Sequence, residues 1–138
     1  MQTRERIRVG DLAPPQFEAA RRFLCAQGWG HRVGDAAAFA ALLRASQCCA
    51  VAIDGQGEVI GFARAITDGL SNGYLSMVAV SPAHRRQGLG RALVEHIIGA
   101  SPASVSWMLR AGRDGAAEFF AALGFRASSA AMERRRSR

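Results

Sequence analysis

The segment from Met77 to Arg91 limits the possible folds more than any other part of the chain. It reads MVAVSPAHRRQGLGR: an apolar run, a polar loop, and then two glycines separated by one residue. The apolar run is typical of a buried strand, and apolar side chains recur at helical spacing over residues 88–98. The segment therefore predicts a strand that leads, through a loop, into the start of a helix.

The loop of this segment has the chemistry of a phosphate site. The first N–H groups of a helix have no partner within the helix and lie at the positive end of its dipole. Gly88 and Gly90 carry no side chains that would keep an anion away from these donors. Arg85, Arg86 and Arg91 add charged donors that suit phosphate oxygens. These features together predict a cradle for a pyrophosphate.

Two common nucleotide-binding motifs do not fit the loop. A dinucleotide fingerprint needs a third glycine, where this chain has Leu93, and it needs a preceding βαβ unit. A nucleotide P-loop ends in Gly-Lys-Ser/Thr, and this chain contains no lysine. Both motifs are therefore rejected.

The remaining patterns predict an α/β fold of the α+β type. Two helices are expected early in the chain, the second capped by Asp35, and a hairpin is expected around Asp54-Gly55-Gln56-Gly57. A last helix is expected from Asp114, as its cap, to Leu123, where Gly124 stops it. The strands are predicted at residues 7–9, 49–53, 59–66, 74–80, 105–109 and, at the end, from Phe125 to Met132.

Two motifs together resemble those of a known family. The first is Val78-Ala79-Val80-Ser81-Pro82 followed by Arg85-Arg86-Gln87-Gly88-Leu89-Gly90, and the second is the stretch 117–125, which ends in Leu-Gly-Phe. In sequence and in order they closely resemble the acetyl-CoA-binding motif and the closing helix of the GNAT superfamily of N-acetyltransferases. The resemblance implies a GNAT-like mixed, mostly antiparallel central sheet flanked by helices. It also implies one N-acetyltransferase domain over residues 1–138.

The resemblance further implies which residues hold acetyl-CoA as the cosubstrate, with no metal. The strand before the loop would pair through its backbone with the pantetheine arm, and an N–H there would polarise the acetyl carbonyl. The implied strand residues are Val78, Ala79 and Val80. The implied pyrophosphate residues are Arg85, Arg86, Gln87, Gly88, Leu89, Gly90 and Arg91.

The catalytic groups match the family less well. Many members use a tyrosine of the closing helix to protonate the leaving thiolate, and here Phe120 stands at that position. Some members carry a glutamate base where this chain has Tyr74. An acceptor amine with a pKa near ~10 must lose a proton before it attacks. Tyr74, Asp68 and His84 are the candidates for accepting this proton through water. Tyr74 is the predicted catalytic residue. The alternative is that Tyr74 is a strand aromatic that packs on its neighbours.

The predicted function is transfer of an acetyl group from acetyl-CoA to a primary amine of a small molecule or peptide by direct attack. Trp29, His31 and Arg32 are expected near the acceptor. Acidic side chains are sparse, which argues against polycationic acceptors. The alternative, which Phe120 keeps open, is a catalytically weak acyl-CoA-binding sensor module with the same fold.

Composition limits the partners and the location. The net charge of +7 comes from arginine alone and favours anionic ligands. Nucleic acid is not expected as a partner, because no stacking platform or recognition helix accompanies the arginines of residues 134–138. The three cysteines lack a C-x-x-C spacing, so neither disulfides nor a zinc site is expected. The charged start of the chain and the absence of a long apolar run predict a cytoplasmic protein without membrane spans. The family resemblance also implies a homodimer.

Overall fold

A five-stranded sheet forms the centre of the computed structural model, which describes residues 6–137. The charged residues 1–5 and the last arginine of the tail lie outside this part of the chain. Strand order follows the sequence, with antiparallel pairs up to the fourth strand and a parallel last pair. The strands are β1 (Arg8–Asp11), β2 (Cys48–Ile53), β3 (Val59–Thr67), β4 (Asn72–Val80) and β5 (Ser106–Met108). The predicted mixed, mostly antiparallel sheet flanked by helices is confirmed.

Helices cover both faces of the sheet. Those before β2 are α1 (Phe17–Leu24), α2 (Gly30–Val33) and α3 (Ala36–Arg44), and those after β4 are α4 (Leu89–Gly99) and α5 (Ala116–Ala121). The predicted cap of α3 is confirmed, since the Asp35 carboxylate accepts a hydrogen bond from the Ala38 N–H at 2.8 Å. Gly28 and Gly34 interrupt the early helices with positive φ, whereas Gly30 begins α2.

Small residues on one face of the sheet let α4 lie close to it. Ala63 and Ala65 of β3 point into the core that α4 and α5 cover, whereas Phe62 points into the core under α1 and α3. A Cβ at Gly61 would lie 2.9 Å from Leu93 Cδ1 of α4. The face toward α4 therefore has no room for larger side chains at these positions.

A bulge in the middle of β4 changes the sheet face to which its odd-numbered side chains point. Met77 has a φ of 58°, and β4 spends one extra residue against β3 between the pairs Arg64–Ser76 and Phe62–Ala79. Before the bulge, Leu75 points into the α4 core. After it, Met77 packs in the core under α1 and α3. An extra residue shifts the alternation of a strand by one.

Strand β5 accompanies β4 for only three residues. Its pairs run from Asn72–Ser106 to Tyr74–Met108, so β4 continues beyond Tyr74 with no strand on that side among the described residues. The middle pair joins Gly73 to Trp107, whose ring would lie 2.4 Å from a Cβ at residue 73. The indole thus packs directly on the glycine backbone, and Trp107 belongs to the core on the α4 side.

Two expectations for the end of the chain are wrong. Helix α5 begins at Ala116 behind Gly115, whose φ is 79°, and no side chain caps it, so Asp114 is not its cap. The stretch from Phe125 to Met132 forms no strand. Phe125 packs on Phe120, but the residues that follow are exposed and lack the alternating apolar side chains that a sheet face would bury.

We expect Gly73→Ala to lower the free energy of unfolding by about 1–3 kcal/mol, because the new methyl group must displace the Trp107 ring. Urea denaturation measures the change. Gly10→Ala is the matched control, since Gly10 is also a strand glycine but has open space around its Cβ position. Equal effects of the two substitutions would contradict the packing role of Gly73.

Candidate active site

A cavity of about 660 Å³ lies between strand β4, the loop after it, the start of α4, and helix α5. Nine of the ten residues that the sequence assigns to acetyl-CoA line it: Val78, Ala79, Val80, Arg85, Arg86, Gly88, Leu89, Gly90 and Arg91. Gln87 is the tenth and does not line the cavity. The structure thus brings the strand residues and the loop residues to one wall.

The second wall comes largely from residues that the sequence did not assign to the site. Arg113, Asp114, Gly115 and Phe119 line the cavity from the side of α5, and Gln27 reaches it from the kink after α1. Phe119 belongs to the family-like stretch 117–125 and Asp114 was predicted only as a helix cap, whereas no motif marks the other three positions. The cavity is therefore a cleft between two helices that are distant in sequence.

The start of α4 presents uncapped backbone donors to this cleft. Its N-cap is Gly88, in the left-handed region with a φ of 81°, and no side chain accepts from the first turn. The N–H groups of that turn lie at the positive end of the helix dipole. A Cβ at Gly88 would meet nothing within 4 Å on the protein side, so the space over it is open. This is the arrangement that backbone N–H groups need to bind an anion.

Three arginines lie beside these donors, and two of them are hydrogen-bonded to the cavity walls. The Arg85 Nε donates to the Val80 carbonyl at 3.2 Å, and Arg91 donates to the Ala122 carbonyl of the opposite wall at 3.2 Å. Arg86 holds a left-handed backbone with a φ of 63°, a conformation that costs a non-glycine residue about 1–2 kcal/mol. Strain of this kind at a cavity wall is typical of ligand-binding loops.

Gly90 has a packing role of its own. A Cβ there would lie 2.8 Å from Phe119 Cζ, so α4 and α5 approach each other through this glycine. The two glycines of the loop therefore have different roles: Gly88 leaves space for a ligand, and Gly90 leaves space for the opposite wall.

The free half of β4 adds a row of backbone groups to the cleft. Past the bulge, Val78 and Val80 pack on the α4 side and line the cavity. Their N–H and C=O groups on the β5 side have no strand partner among the described residues, because β5 pairs no further than Tyr74. Unpaired strand edges bind extended ligands through main-chain hydrogen bonds.

The cavity wall around Phe120 is aromatic and carries no hydroxyl group. Phe120 lies edge-on to Phe119 and to Phe125, with ring centroids 4.9 Å and 5.7 Å away. Among the described residues lining the cavity there is no tyrosine, serine or cysteine. The ionisable ones are His84, Asp114 and the arginines.

The three candidates for accepting a proton are in different places. His84 lines the cavity, whereas Tyr74 does not and lies half-buried on the opposite face of β4. Asp68 folds its carboxylate over its own turn, where it accepts from the Ser71 hydroxyl and from the N–H groups of Ser71 and Leu70. These hydrogen bonds hold the pKa of Asp68 well below its usual range. Asp68 is therefore a turn residue and a poor base, and Tyr74 remains a prediction.

Arg113 joins the cavity wall to the kink between α1 and α2. Its guanidinium lies 3.9 Å from the centre of the Trp29 ring and donates to the Gln27 carbonyl at 3.1 Å. Of the residues expected near the acceptor, Trp29 is held by this contact, His31 is exposed and Arg32 is half-buried.

Within residues 6–137, no group of three His, Cys, Asp or Glu side chains is placed to hold a metal ion. The cysteines are free thiols, and burial raises the pKa of Cys49 to about 11, so its thiolate is scarce at neutral pH. No helix in this part of the chain is long and apolar enough to cross a bilayer.

Comparison with known proteins gives the same family as the motifs. The model of the acetyltransferase (GNAT) family matches residues 12–125. A GNAT family acetyltransferase from Streptococcus pneumoniae is 22% identical, over 96% of this chain and 99% of its own, with a TM-score of 0.71. No curated protein sequence matches this chain significantly.

Two structural neighbours are acetyltransferases named after their acceptors. A ribosomal-protein-alanine N-acetyltransferase from Brucella melitensis is 16% identical, over 94% of this chain and 98% of its own, with a TM-score of 0.72. An aminoglycoside 6'-N-acetyltransferase from Acinetobacter baumannii is 14% identical, over 96% and 99%, with a TM-score of 0.74. At such identities the likeness is one of fold.

We expect Arg113→Met to speed amide hydrogen exchange over residues 25–34, because it removes a cation–π contact worth about 0.5–2 kcal/mol. It also removes the hydrogen bond to Gln27. Mass-spectrometric exchange on the intact protein measures the effect. Arg110→Met is the control, since Arg110 forms an exposed ion pair with Glu133 away from the kink. Unchanged exchange in Arg113→Met would show that this contact does not hold the kink.

Proposed function

The chain belongs to the acetyltransferase (GNAT) family and is an acyltransferase, and we propose that it moves an acetyl group from acetyl-CoA to the primary amine of a small molecule or peptide. The observation that carries the proposal is the cleft in which the uncapped start of α4 meets the unpaired half of β4. An anion-binding helix start and a free strand edge, side by side, suit a ligand with a pyrophosphate and an extended amide-bearing arm.

The residues present fit acetyl-CoA at each end of the cleft. The pyrophosphate would lie on the first N–H groups of α4, with Arg85, Arg86 and Arg91 supplying positive charge. The pantetheine arm would pair with the backbone of Val78, Ala79 and Val80. Bound there, acetyl-CoA supplies the acetyl group as an activated thioester.

In the proposed reaction, the protein positions the two substrates and polarises the acetyl carbonyl group. A β4 N–H donates to the acetyl carbonyl oxygen and stabilises the charge that grows on it. The acceptor nitrogen gives up one proton as it bonds to the acetyl carbon, and one proton reaches the departing thiolate. His84 on the wall and Tyr74 on the opposite face are the proposed routes for the proton of the amine, in each case through water.

The sparse acidic charge supports a small or peptide amine over a polycation. Only Asp114 contributes a carboxylate to the described cavity wall, against four arginines. A polycationic acceptor, such as the aminoglycoside after which the Acinetobacter baumannii neighbour is named, would be repelled by such a surface.

We also propose a domain organisation, a location and an oligomeric state for the protein. Residues 1–138 form one N-acetyltransferase domain. The protein works in the cytoplasm, where its free thiols, including the exposed Cys25, stay reduced. It pairs as a homodimer, and sedimentation equilibrium decides that point.

The second candidate is an acyl-CoA-binding sensor with little or no turnover. The observation that favours it is the hydroxyl-free aromatic wall around Phe120, which offers no side-chain acid to the leaving thiolate. Tight binding of acetyl-CoA without turnover over a broad amine panel distinguishes this candidate from the enzyme.

We expect Gly88→Ala to weaken acetyl-CoA binding about tenfold or more, since charged hydrogen bonds worth about 1.5–3 kcal/mol are lost when a methyl group covers the N–H cradle. Isothermal titration calorimetry measures the affinity, with ATP as a ligand that should not bind. Gly57→Ala is the matched control: Gly57 has a φ of 82° and open space at its Cβ position, but it lies in the β2–β3 turn. Equal affinities in all three proteins would refute the cradle.

We expect Phe120→Tyr to raise kcat about tenfold or more, because a positioned general acid contributes about 10²–10⁴-fold. The rate is read from thiol release with an amine that the wild type accepts. Phe125→Tyr serves as the control, since Phe125 touches Phe120 but does not line the cavity. An unchanged kcat in Phe120→Tyr would mean that thiolate departure does not limit the reaction.

A further inference from the structure

Helices cover one end of β3 and β4 on the sheet face opposite α4, and the other end of these strands, beside β5, is open. Helices α1 and α3 pack there on Phe62, Met77 and Ala79. Further along the same face, Ile66 of β3 and Met108 of β5 are 43% and 53% exposed. Tyr74 lies between them, in register with both, so the three side chains form one strip across the sheet. We call Ile66, Tyr74 and Met108 the apolar strip.

A buried arginine stands where the apolar strip meets the covered region. Arg64 precedes Ile66 by two residues on β3, so the two share a face, and only 9% of Arg64 is exposed. Its Nε donates to the Ser46 hydroxyl at 2.7 Å, and that hydroxyl donates to the Leu42 carbonyl of α3. This contact orients the side chain and leaves the outer end of the guanidinium unused.

The charge of Arg64 has no counterion within residues 6–137. None of the carboxylates there forms an ion pair with it, and neither Nη atom donates to an acceptor. Neither Nη is sealed from solvent, since both are missing from the fully buried atoms that lack a partner. A largely buried cation without an anion is costly, and two free donors at its accessible end make that position ready for a carboxylate.

Arg32 adds a second positive charge within electrostatic range of Arg64. It is half-buried on α2 and forms no ion pair with a described residue. Burial in the first place, and then the charge of Arg32, lower the pKa of Arg64. Two neighbouring guanidinium groups repel each other unless an anion lies between them.

Arg64 lies on the strand next to the part of β4 that lines the cavity. Arg64 pairs with Ser76, which directly precedes the bulge residue Met77. After the bulge, Ala79 both packs on this face and lines the cavity. A molecule held by Arg64 would therefore approach strand β4 from the face opposite the α4–α5 cleft.

We propose that Arg64 and Arg32 bind the carboxylate of the acceptor, and that the acceptor is an amine with a carboxylate and an apolar body, as in a free apolar amino acid. The apolar strip receives the apolar body. The inference rests on the proposed acetyl transfer and narrows its substrate class.

The first test compares amines that differ only in the carboxylate. The kcat/KM of acetylation is measured for L-phenylalanine, L-leucine and L-methionine and for their carboxamides. We expect the acids to be preferred about tenfold or more, the effect of charged hydrogen bonds. The amine of a carboxamide has the lower pKa and is less protonated at neutral pH, so this bias works against the expected result. Carboxamides or phenethylamine acetylated as well as the acids would overturn the proposal.

Substitutions of the two arginines distinguish a role in recognising the acceptor carboxylate from a role in the stability of the protein. Arg64→Gln and Arg32→Gln should bring the preference for acids close to one, because they lower kcat/KM for the acids far more than kcat/KM for the carboxamides. A merely structural role of Arg64 would lower both rates together and leave the preference unchanged. If Arg64→Gln folds poorly, Arg32→Gln provides the test, since Arg32 forms no hydrogen bond or ion pair with a described residue. Arg44→Gln is the control, because Arg44 is exposed at the end of α3.

A binding measurement keeps this inference distinct from the proposed activity. The protein is titrated with N-acetyl-L-phenylalanine and with its carboxamide, with and without CoA. Tighter binding of the acid, lost in Arg64→Gln and Arg32→Gln, supports the carboxylate site even without turnover. Equal binding of acid and amide, or no binding of either, overturns it. Failure of acetyl-CoA to bind, by contrast, would refute the proposed function and not the carboxylate site.

Discussion

The point at which β4 loses its neighbour determines the rest of the architecture. Strand β5 pairs with β4 only as far as Tyr74, and the packing of Trp107 on Gly73 fixes it there. Beyond this point the edge of β4 is free, and the bulge at Met77 turns Val78 and Val80 toward α4. The backbone of β4 therefore lines the cleft on one face of the sheet, and its Tyr74 side chain belongs to the apolar strip on the other face. The cleft exists because the pairing stops early, whereas the apolar strip lies where β3, β4 and β5 still pair.

Local signals made much of this fold and part of the site predictable. Gly88, the cap at Asp35 and the hairpin around Asp54-Gly57 each need a particular backbone, and few residue types supply it. Each of these features is present in the structure. Arg85, Arg86 and Arg91 are close to Gly88 in sequence, so their position at the cavity was predictable as well.

Features that depend on distant contacts were not predictable. The residues from Met77 to Val80 form a continuous apolar run, so nothing in them reveals that Met77 forms a bulge. The stretch after Phe125 was expected to form a strand, but it has no apolar face to bury and remains irregular. Arg113 reaches the kink near Trp29 across 86 residues of sequence when it bonds to Gln27, a separation that no motif spans. In each case tertiary packing decides what local sequence leaves open.

The all-arginine character of the cleft has a consequence for the protein's own chemistry. A guanidinium stays protonated at any physiological pH and is not a nucleophile, whereas a lysine amine loses its proton readily when it is desolvated. The cleft that is proposed to hold a reactive thioester is lined by Arg85, Arg86, Arg91 and Arg113, and the chain contains no lysine. The protein thus presents phosphate-binding charge with no ε-amine that could be acylated in place of the substrate. A protein that binds an activated acyl group can become acylated on its own lysine side chains, and this chain has none.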